Sequence, residues 1–196
     1  MSGKIKRGIK IGLTGPLASG KGEVSNWLKT QGFDYVSLSD MVREALRKER
    51  LEETRENLMK IGNGLRAKEG AGVLGKRVRE KILSDDENKD WVIDGIRNPA
   101  EIEELRKMEN FFLLAIVAPK KILIERVKSR KRGSDPMSEE EIEKKLNREW
   151  GIGEPPDGQQ VGACIGESDF FYLNEKSLDE LFLFMDNLLK TINNNI

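Results

Sequence analysis

The stretch Gly15-Pro-Leu-Ala-Ser-Gly-Lys-Gly22 lies directly after a short apolar run, Ile9–Leu13, and directly before a segment with helical periodicity. Gly15, Gly20 and Lys21 match the pattern of a loop that wraps a phosphate. Glycine lets successive backbone N–H groups point inward, and the following helix adds partial positive charge at its N-terminus. Lys21 can then reach the β- and γ-phosphates of a nucleotide. The sequence therefore predicts a strand, a phosphate-binding loop and a helix in that order.

Four more short apolar runs follow along the chain, separated by turn-forming residues and helical patterns. They are Tyr35–Leu38, Trp91–Ile93, Phe111–Val117 and Phe170–Leu173. Strands that alternate with helices imply an α/β fold, in which helices cover both faces of a largely parallel sheet. A length of 196 residues predicts a single domain, 1–196.

Composition excludes several classes of function. Lys plus Arg and Asp plus Glu both number 34, so we expect neither polymeric nucleic acid nor a membrane surface as a partner. The chain has no histidine, which excludes Ser-His-Asp catalysis and histidine-containing zinc sites. Cys164 is the single cysteine, and no apolar run has the length of a membrane span. We therefore expect a cytoplasmic protein whose chemistry depends on carboxylates, lysine, arginine and the backbone.

A long helical excursion separates the second and third predicted strands. Helical patterns cover Asp40–Leu51 and Glu53–Ile61, a break is expected at Gly62–Gly64, and another helix follows. An excursion of this length can hold the second substrate of a transfer reaction. The sequence therefore predicts an acceptor-binding insertion at about 40–72.

The third predicted strand ends in a carboxylate, a glycine, an isoleucine and an arginine, Asp94 to Arg97. Ligands of open α/β sheets bind at this carboxyl edge. Asp94 could bind Mg²⁺ directly or through water, and Arg97 could hold a phosphate with its planar fork. The alternative is an aspartate in a local turn and an arginine paired at the surface.

Three residues of the excursion are candidates for binding the acceptor. Asp40 and Arg43 lie one helical turn apart and face the same way. Asp40 could orient an acceptor hydroxyl and Arg43 could bind an acceptor phosphate, unless the pair is only a helix-capping aspartate with its i+3 ion pair. Arg66 is the third candidate. Arg55 lies eleven residues before it, too far to reach the same ligand on a continuous helix.

A basic run with Arg126, Arg130 and Arg132 follows the fourth predicted strand. Mobile arginines that close over transferring phosphates stabilise their negative charge, so this run predicts a lid; a solvated helix face is the alternative. A capping signature at Ser138 starts another helix. Gly151–Gly166 indicates an ordered loop or a hinge.

Together these residues resemble the P-loop nucleotide kinases, in the branch of nucleoside and deoxynucleoside monophosphate kinases and dephospho-coenzyme A kinases. Lys21-Gly22 and Ile93–Arg97 look like the monophosphate kinases, whereas Ile11–Gly15 and Ser168-Asp169 with Asn174 look like the dephospho-coenzyme A kinases. The resemblance implies a three-layer P-loop kinase fold with a five-stranded parallel sheet. It also implies a helical acceptor-binding insertion, a lid at about 127–148, and Asn174 near the adenine.

The loop departs from most P-loop proteins at Gly22, where a Ser or Thr hydroxyl usually binds Mg²⁺. Lysine followed by glycine resembles the adenylate-kinase type of loop, in which phosphates and water largely hold the metal, but Glu23 stands where that type has threonine. The resemblance still implies ATP and Mg²⁺, with Asp94 as the candidate metal residue. Gly22 and Glu23 keep open a nucleotide-binding regulatory module without turnover.

The sequence predicts ATP-dependent phosphoryl transfer to a small nucleotide, because Arg43, Arg66 and Arg97 could neutralise an acceptor phosphate such as that of a nucleoside or deoxynucleoside monophosphate. Asp40 keeps a ribose hydroxyl, as in dephospho-coenzyme A, open as the acceptor. Catalytic candidates are Lys21, Asp40, Asp94, Arg97 and Arg130; acceptor-binding candidates are Asp40, Arg43, Arg66 and Arg97. ATP-binding candidates are Gly15, Pro16, Leu17, Ala18, Ser19, Gly20, Lys21, Gly22, Glu23, Arg126 and Asn174.

Overall fold

The computed structural model describes residues 8–130 and 138–195. The strands in these ranges are β1 Lys10–Thr14, β2 Asp34–Ser37, β3 Trp91–Asp94, β4 Phe111–Val117 and β5 Phe170–Leu173. The helices are α1 Lys21–Thr30, α2 Leu38–Lys48, α3 Arg55–Glu69, α4 Val73–Asp85, α5 Pro99–Leu105, α6 Lys120–Ser129, α7 Glu139–Trp150, α8 Val161–Gly166 and α9 Leu178–Asn195. All five predicted strands are confirmed.

The strands form one parallel sheet in the order β2-β3-β1-β4-β5. The central strand β1 pairs with β3 on one side and with β4 on the other. Because every strand points the same way, all their carboxyl ends meet at one edge of the sheet, where ligands of such folds bind. The predicted α/β class and the five-stranded parallel sheet are thus confirmed.

Helices cover both faces of the sheet and give it three layers. On one face α2, α3, α4 and α5 bury a core that includes Leu46, Val78 and Ile102. On the other face α1 and α9 pack against β1 and β4 through residues such as Leu28 and Met185. The two cores fix the ends of β1 and β3, which carry the phosphate loop and Asp94.

The predicted break at Gly62–Gly64 is wrong. Helix α3 runs without interruption through both glycines and ends at Gly70, which has a φ of 93°. Each glycine costs about 1 kcal/mol in a helix, but Ile61 is buried against the core of the insertion and keeps this turn in place. A tertiary contact has overridden the local preference.

Two short helices were absent from the sequence-based expectation. Helix α5 begins with a proline after an Asn98–Glu101 capping box, and α8 lies inside the segment expected to be a loop or hinge. Residues 131–137 of the expected lid, which include Arg132, lie outside the described residues. Within the described part, no helix has the length and apolar character needed to cross a membrane.

Candidate active site

The phosphate loop joins β1 to α1 through backbone conformations that favour glycine. Gly15 and Gly20 have φ angles of 136° and 111°. Ala18, at 64°, is one of three described residues other than glycine that have a positive φ. A side chain at Gly15 would collide with the carbonyl oxygen of Ile116, and one at Gly20 with the amide of Asn174. Neighbouring strands thus fix the loop and forbid larger residues at these positions.

Lys21 is the first residue of α1 and folds back over the loop. Its Nζ donates hydrogen bonds to the carbonyl oxygens of Gly15 at 2.6 Å and Pro16 at 2.8 Å. Burial lowers the pKa of Lys21 from its usual 10.5 to about 8. Gly22 and Glu23 follow in the exposed first turn of the helix. The lysine is therefore tied to the loop and only partly solvated.

Four charged residues lie within electrostatic reach of Lys21. The carboxylates Asp94 and Glu149 raise its pKa against the effect of burial, whereas Arg97 and Arg130 lower it further. Three of the four, Asp94, Arg97 and Arg130, are residues that the sequence proposed as catalytic. The structure thus brings these candidates together around the lysine, although they come from distant parts of the chain.

Asp94 ends β3 at the carboxyl edge of the sheet. Its Oδ1 accepts a hydrogen bond from the N–H of Gly95 at 2.7 Å, and its Oδ2 accepts a long one from the Tyr35 hydroxyl at 3.4 Å. The next turn is fixed by Thr14, whose hydroxyl donates to the carbonyl oxygen of Ile96 at 3.1 Å. Among the described residues there is no cluster of three potential metal ligands. Asp94 is the carboxylate at this edge of the sheet that could hold a Mg²⁺ together with phosphates and water.

A cavity of about 280 Å³ opens beside the loop. It is lined by Ala18, Gly20, Glu23, Arg126, Arg130, Asn174, Lys176 and Leu178. Asn174 donates to the carbonyl oxygen of Ser19 at 2.8 Å, and Arg126 makes a long contact of 3.4 Å with that of Ala18. Six of the eight lining residues were predicted from sequence. Lys176 and Leu178 were missed because the capping signature of Ser177 and Glu180 in this turn indicates only the start of a helix. We call this cavity the donor pocket.

A second cavity, of about 240 Å³, lies between the insertion and the loop before α8. Its lining residues are Ser39, Val42, Arg43, Leu58, Met59, Gly62, Asn63, Arg66, Arg97, Arg148, Glu154, Gly158 and Gln159. Three of the four predicted acceptor residues, Arg43, Arg66 and Arg97, meet here, and the missed Arg148 joins them. We call this cavity the acceptor pocket. Arg97 also lowers the pKa of Lys21, so it lies near enough to the phosphate loop to act on the lysine electrostatically.

Carboxylates hold three of the four arginines of the acceptor pocket. The pairs are Arg43 with Asp40 at 3.0 Å and Glu53 at 2.9 Å, Arg66 with Glu101 at 3.5 Å, and Arg148 with Glu154 at 2.9 Å. The fourth, Arg97, has no ion pair with any residue that the structure describes. Its guanidinium is therefore ready to bind an anion without first giving up a carboxylate.

Asp40 is engaged through both of its carboxylate oxygens. Oδ2 accepts from the N–H of Ser37 at 3.1 Å, and Oδ1 accepts from Arg43 at 3.0 Å. The alternative of a capping aspartate with an i+3 ion pair is therefore observed, except that Ser37 is the N-cap and Asp40 is the third helical residue of the capping box. Asp40 contributes to the start of α2 and to the position of Arg43.

Glu101 is a buried residue that sequence reasoning missed. It is only 1% exposed, and burial raises its pKa. Its Oε2 accepts from the N–H groups of Arg97 and Asn98, while its Oε1 lies 3.5 Å from Arg66. One carboxylate thus fixes two arginines of the acceptor pocket. Only the capping-box spacing of Asn98 and Glu101 could have indicated it.

The loop before α8 is pinned beside Arg97. The side-chain amide of Asn98 donates to the carbonyl oxygens of Pro156 and Gly158, both at 2.8 Å, and the N–H of Gln160 donates to that of Arg97 at 2.6 Å. In the same loop, Oε1 of Gln159 is buried without a hydrogen-bond partner among the described residues. A buried acceptor atom without a donor, at the wall of a polar cavity, fits a ligand that supplies one.

A parallel sheet with a glycine-rich phosphate loop after its central strand defines a P-loop protein with the kinase type of fold. The family model described as an AAA domain matches residues 14–143, which include the loop, the insertion and Asp94. The chain belongs to this family of P-loop proteins.

Relatives place it more narrowly, in the UPF0200 family. The UPF0200 protein of Sulfurisphaera tokodaii is 32% identical over 184 residues, covering 93% of this chain and 96% of the relative. The UPF0200/UPF0201 protein of Archaeoglobus fulgidus is 39% identical over 149 residues, which cover 74% of this chain and 46% of that longer relative.

Solved structures share the fold at low sequence identity. TT1252 from Thermus thermophilus superposes with a TM-score of 0.61 at 19% identity, covering 94% of this chain and 98% of the other. Shikimate kinase from Bacteroides thetaiotaomicron gives a TM-score of 0.58 at 10% identity, covering 93% and 98%. At this level of identity the similarities show the fold alone.

Proposed function

We propose that the protein transfers the γ-phosphoryl group of ATP to a nucleoside or deoxynucleoside monophosphate. The observation that carries this proposal is Arg97, which lines the acceptor pocket, has no carboxylate partner among the residues that the structure describes, and lies within electrostatic reach of Lys21. An arginine in this position fits a second phosphate facing the one held by the loop.

The proposed mechanism is positioning with charge stabilisation. The loop amides and Lys21 hold the β- and γ-phosphates of ATP, and Arg126 and Arg130 line the donor pocket beside the loop. Bound Mg²⁺ would neutralise charge on the phosphates, and Asp94 is the carboxylate placed to hold it. Arg97 aligns the acceptor phosphate for attack, while Arg43 and Arg66 add positive charge around it.

The remaining walls of the acceptor pocket support a nucleotide rather than a bare phosphorylated sugar. Val42, Leu58 and Met59 provide an apolar surface on which a planar base can lie. The unpaired oxygen of Gln159 can accept a hydrogen bond from a base N–H, and the rest of its amide can donate in return. Base reading by Gln159 therefore belongs to the proposal.

Asp40 is the residue on which a ribose hydroxyl as the acceptor would depend. A hydroxyl needs a carboxylate to orient it or to take its proton. Both oxygens of Asp40 already accept hydrogen bonds, one from Ser37 and one from Arg43. Dephospho-coenzyme A thus serves as the competing acceptor in the test.

The test is a panel of acceptors with product identification. The protein is incubated with ATP and Mg²⁺, and in turn with the common ribo- and deoxyribonucleoside monophosphates, dephospho-coenzyme A, ribose 5-phosphate or no acceptor. Chromatography should find ADP and a nucleoside diphosphate in equal amounts with at least one monophosphate, and little product with ribose 5-phosphate. Phosphorylation of dephospho-coenzyme A alone, or no acceptor-dependent ADP, would overturn the proposal.

A further inference from the structure

Glu149, in the last turn of α7, presses a buried carboxylate against the phosphate loop. The residue is only 6% exposed, and its Oε2 accepts a hydrogen bond from the N–H of Leu17 at 2.7 Å. Within the described residues it has no ion pair, so one backbone N–H and the more distant Lys21 provide its compensation. A buried carboxylate with so few partners is uncommon, and this one lies beside the loop that is proposed to bind phosphates.

The Glu149 carboxylate contacts the same loop that is proposed to bind phosphates. The loop binds phosphates through inward-facing N–H groups, and Leu17 belongs to it. Glu149 also acts on Lys21, the residue that reaches the β- and γ-phosphates. A triphosphate on the loop would therefore bring two or more negative charges close to Glu149 and compete for the same positive groups.

We propose that Glu149 is a donor-specificity residue, whose carboxylate occupies the phosphate loop of the nucleotide-free protein and must withdraw when a triphosphate binds. The proposal rests on the proposed function only in that the loop binds ATP. The repulsion acts on the phosphate chain, so it should weaken ATP binding more than ADP binding and should not affect adenosine.

The geometry links this withdrawal to the acceptor pocket. Arg148, the neighbour of Glu149 in α7, lines that pocket and pairs there with Glu154. Both residues belong to the same helical turn, so a withdrawal that moves the end of α7 away from the loop also moves the base of Arg148. Donor binding would thus change the surroundings of the acceptor before transfer.

The test compares Glu149→Gln with the wild-type protein. Glutamine can keep the hydrogen bond from Leu17 and lacks the charge, so the variant isolates the repulsion. Glu143→Gln is the matched control, because Glu143 is an exposed acid of the same helix, paired with Lys120 and outside both pockets. Dissociation constants for ATP, ADP and adenosine are measured by calorimetry with Mg²⁺ present and no acceptor.

Glu149→Gln should tighten ATP binding by about tenfold, tighten ADP binding less and leave adenosine unchanged, while Glu143→Gln changes none of the three. Unchanged or weaker ATP binding by Glu149→Gln would overturn the proposal, and weaker binding would assign the carboxylate to the metal. A readout on the wild-type protein keeps the test independent of the variant's folding. Amide hydrogen exchange at the end of α7 should rise with ATP and stay constant with adenosine; the absence of any rise with ATP contradicts the proposal.

No acceptor enters these measurements, so they can fail without affecting the proposed transfer. Conversely, a protein that binds ATP as described and phosphorylates no monophosphate would refute the proposed function alone.

Discussion

The donor pocket and the acceptor pocket are built in different ways. The donor pocket lies beside one contiguous loop, whose conformation follows from Gly15 and Gly20 and from the strand and helix on either side, and α6 and the turn before α9 complete its wall. The acceptor pocket is assembled from α2, α3, the turn after β3, the end of α7 and the loop before α8, and ion pairs hold it, of which Arg66 with Glu101 is the most buried. The difference teaches that the proposed phosphate-binding loop can be encoded locally, whereas the proposed site for the second substrate depends on the tertiary fold.

The largest effect should come from the donor side. Lys21→Ala removes the cation that reaches the β- and γ-phosphates, and we expect it to lower transfer by about a hundredfold or more. Thermal unfolding should stay close to that of the wild type, because the lysine contributes two loop contacts and no core packing. Lys29→Ala, at the exposed end of the same helix, is the control and should transfer normally. Unimpaired transfer by Lys21→Ala would mean that the loop has another role.

A smaller and more selective effect is expected on the acceptor side. Arg97→Lys keeps the charge but loses the planar fork, so the KM for the monophosphate should rise by about tenfold while ATP affinity stays the same. Arg106→Lys, at a surface arginine bound to Asp169, is the control. Steady-state kinetics with each substrate varied separates the two pockets. If the ATP affinity fell instead and the monophosphate KM did not, Arg97 would belong to the donor side.

The smallest effect is the pH dependence of donor binding. With a pKa of about 8, Lys21 is charged in the nucleotide-free protein at neutral pH and loses its proton as the pH rises through 8. Bound phosphates favour the charged lysine, so ATP binding above pH 8 must take up a proton, and its affinity should fall by about fourfold between pH 7 and pH 8.5. Calorimetry from pH 6.5 to 8.5 measures it. A profile that is flat between pH 7 and pH 8.5, or one that Lys21→Ala reproduces, would assign the dependence elsewhere.

The same comparison explains how far the sequence could predict the site. The strands and the phosphate loop could be predicted because each depends on neighbours in the chain, whereas Asn174 was proposed only from the family resemblance. Arg43 and Arg97 could be proposed as acceptor residues because Arg43 follows Asp40 by one helical turn and Arg97 follows the end of a predicted strand. Their approach to one another is now visible in the structure, while their catalytic roles remain proposals.

Residues whose importance lies in distant contacts were missed. Glu101 is defined by its contact with Arg66, 35 positions away, and Glu149 by its hydrogen bond to Leu17, 132 positions away. Neither contact leaves a periodic pattern in the sequence. The break predicted at Gly62–Gly64 failed for the same reason, because packing of α3 against the core outweighed the preference of glycine for turns.

We propose that ATP in the donor pocket transfers its γ-phosphoryl group to a nucleoside monophosphate in the acceptor pocket. The most direct measurement is a single turnover with ATP labelled at its γ-phosphate and a preferred nucleoside monophosphate from the panel. We predict that the label appears in the β-phosphate of the nucleoside diphosphate, and that Arg97→Lys slows its appearance. Label that appears only as inorganic phosphate, at a rate that the monophosphate does not change, would contradict the claim.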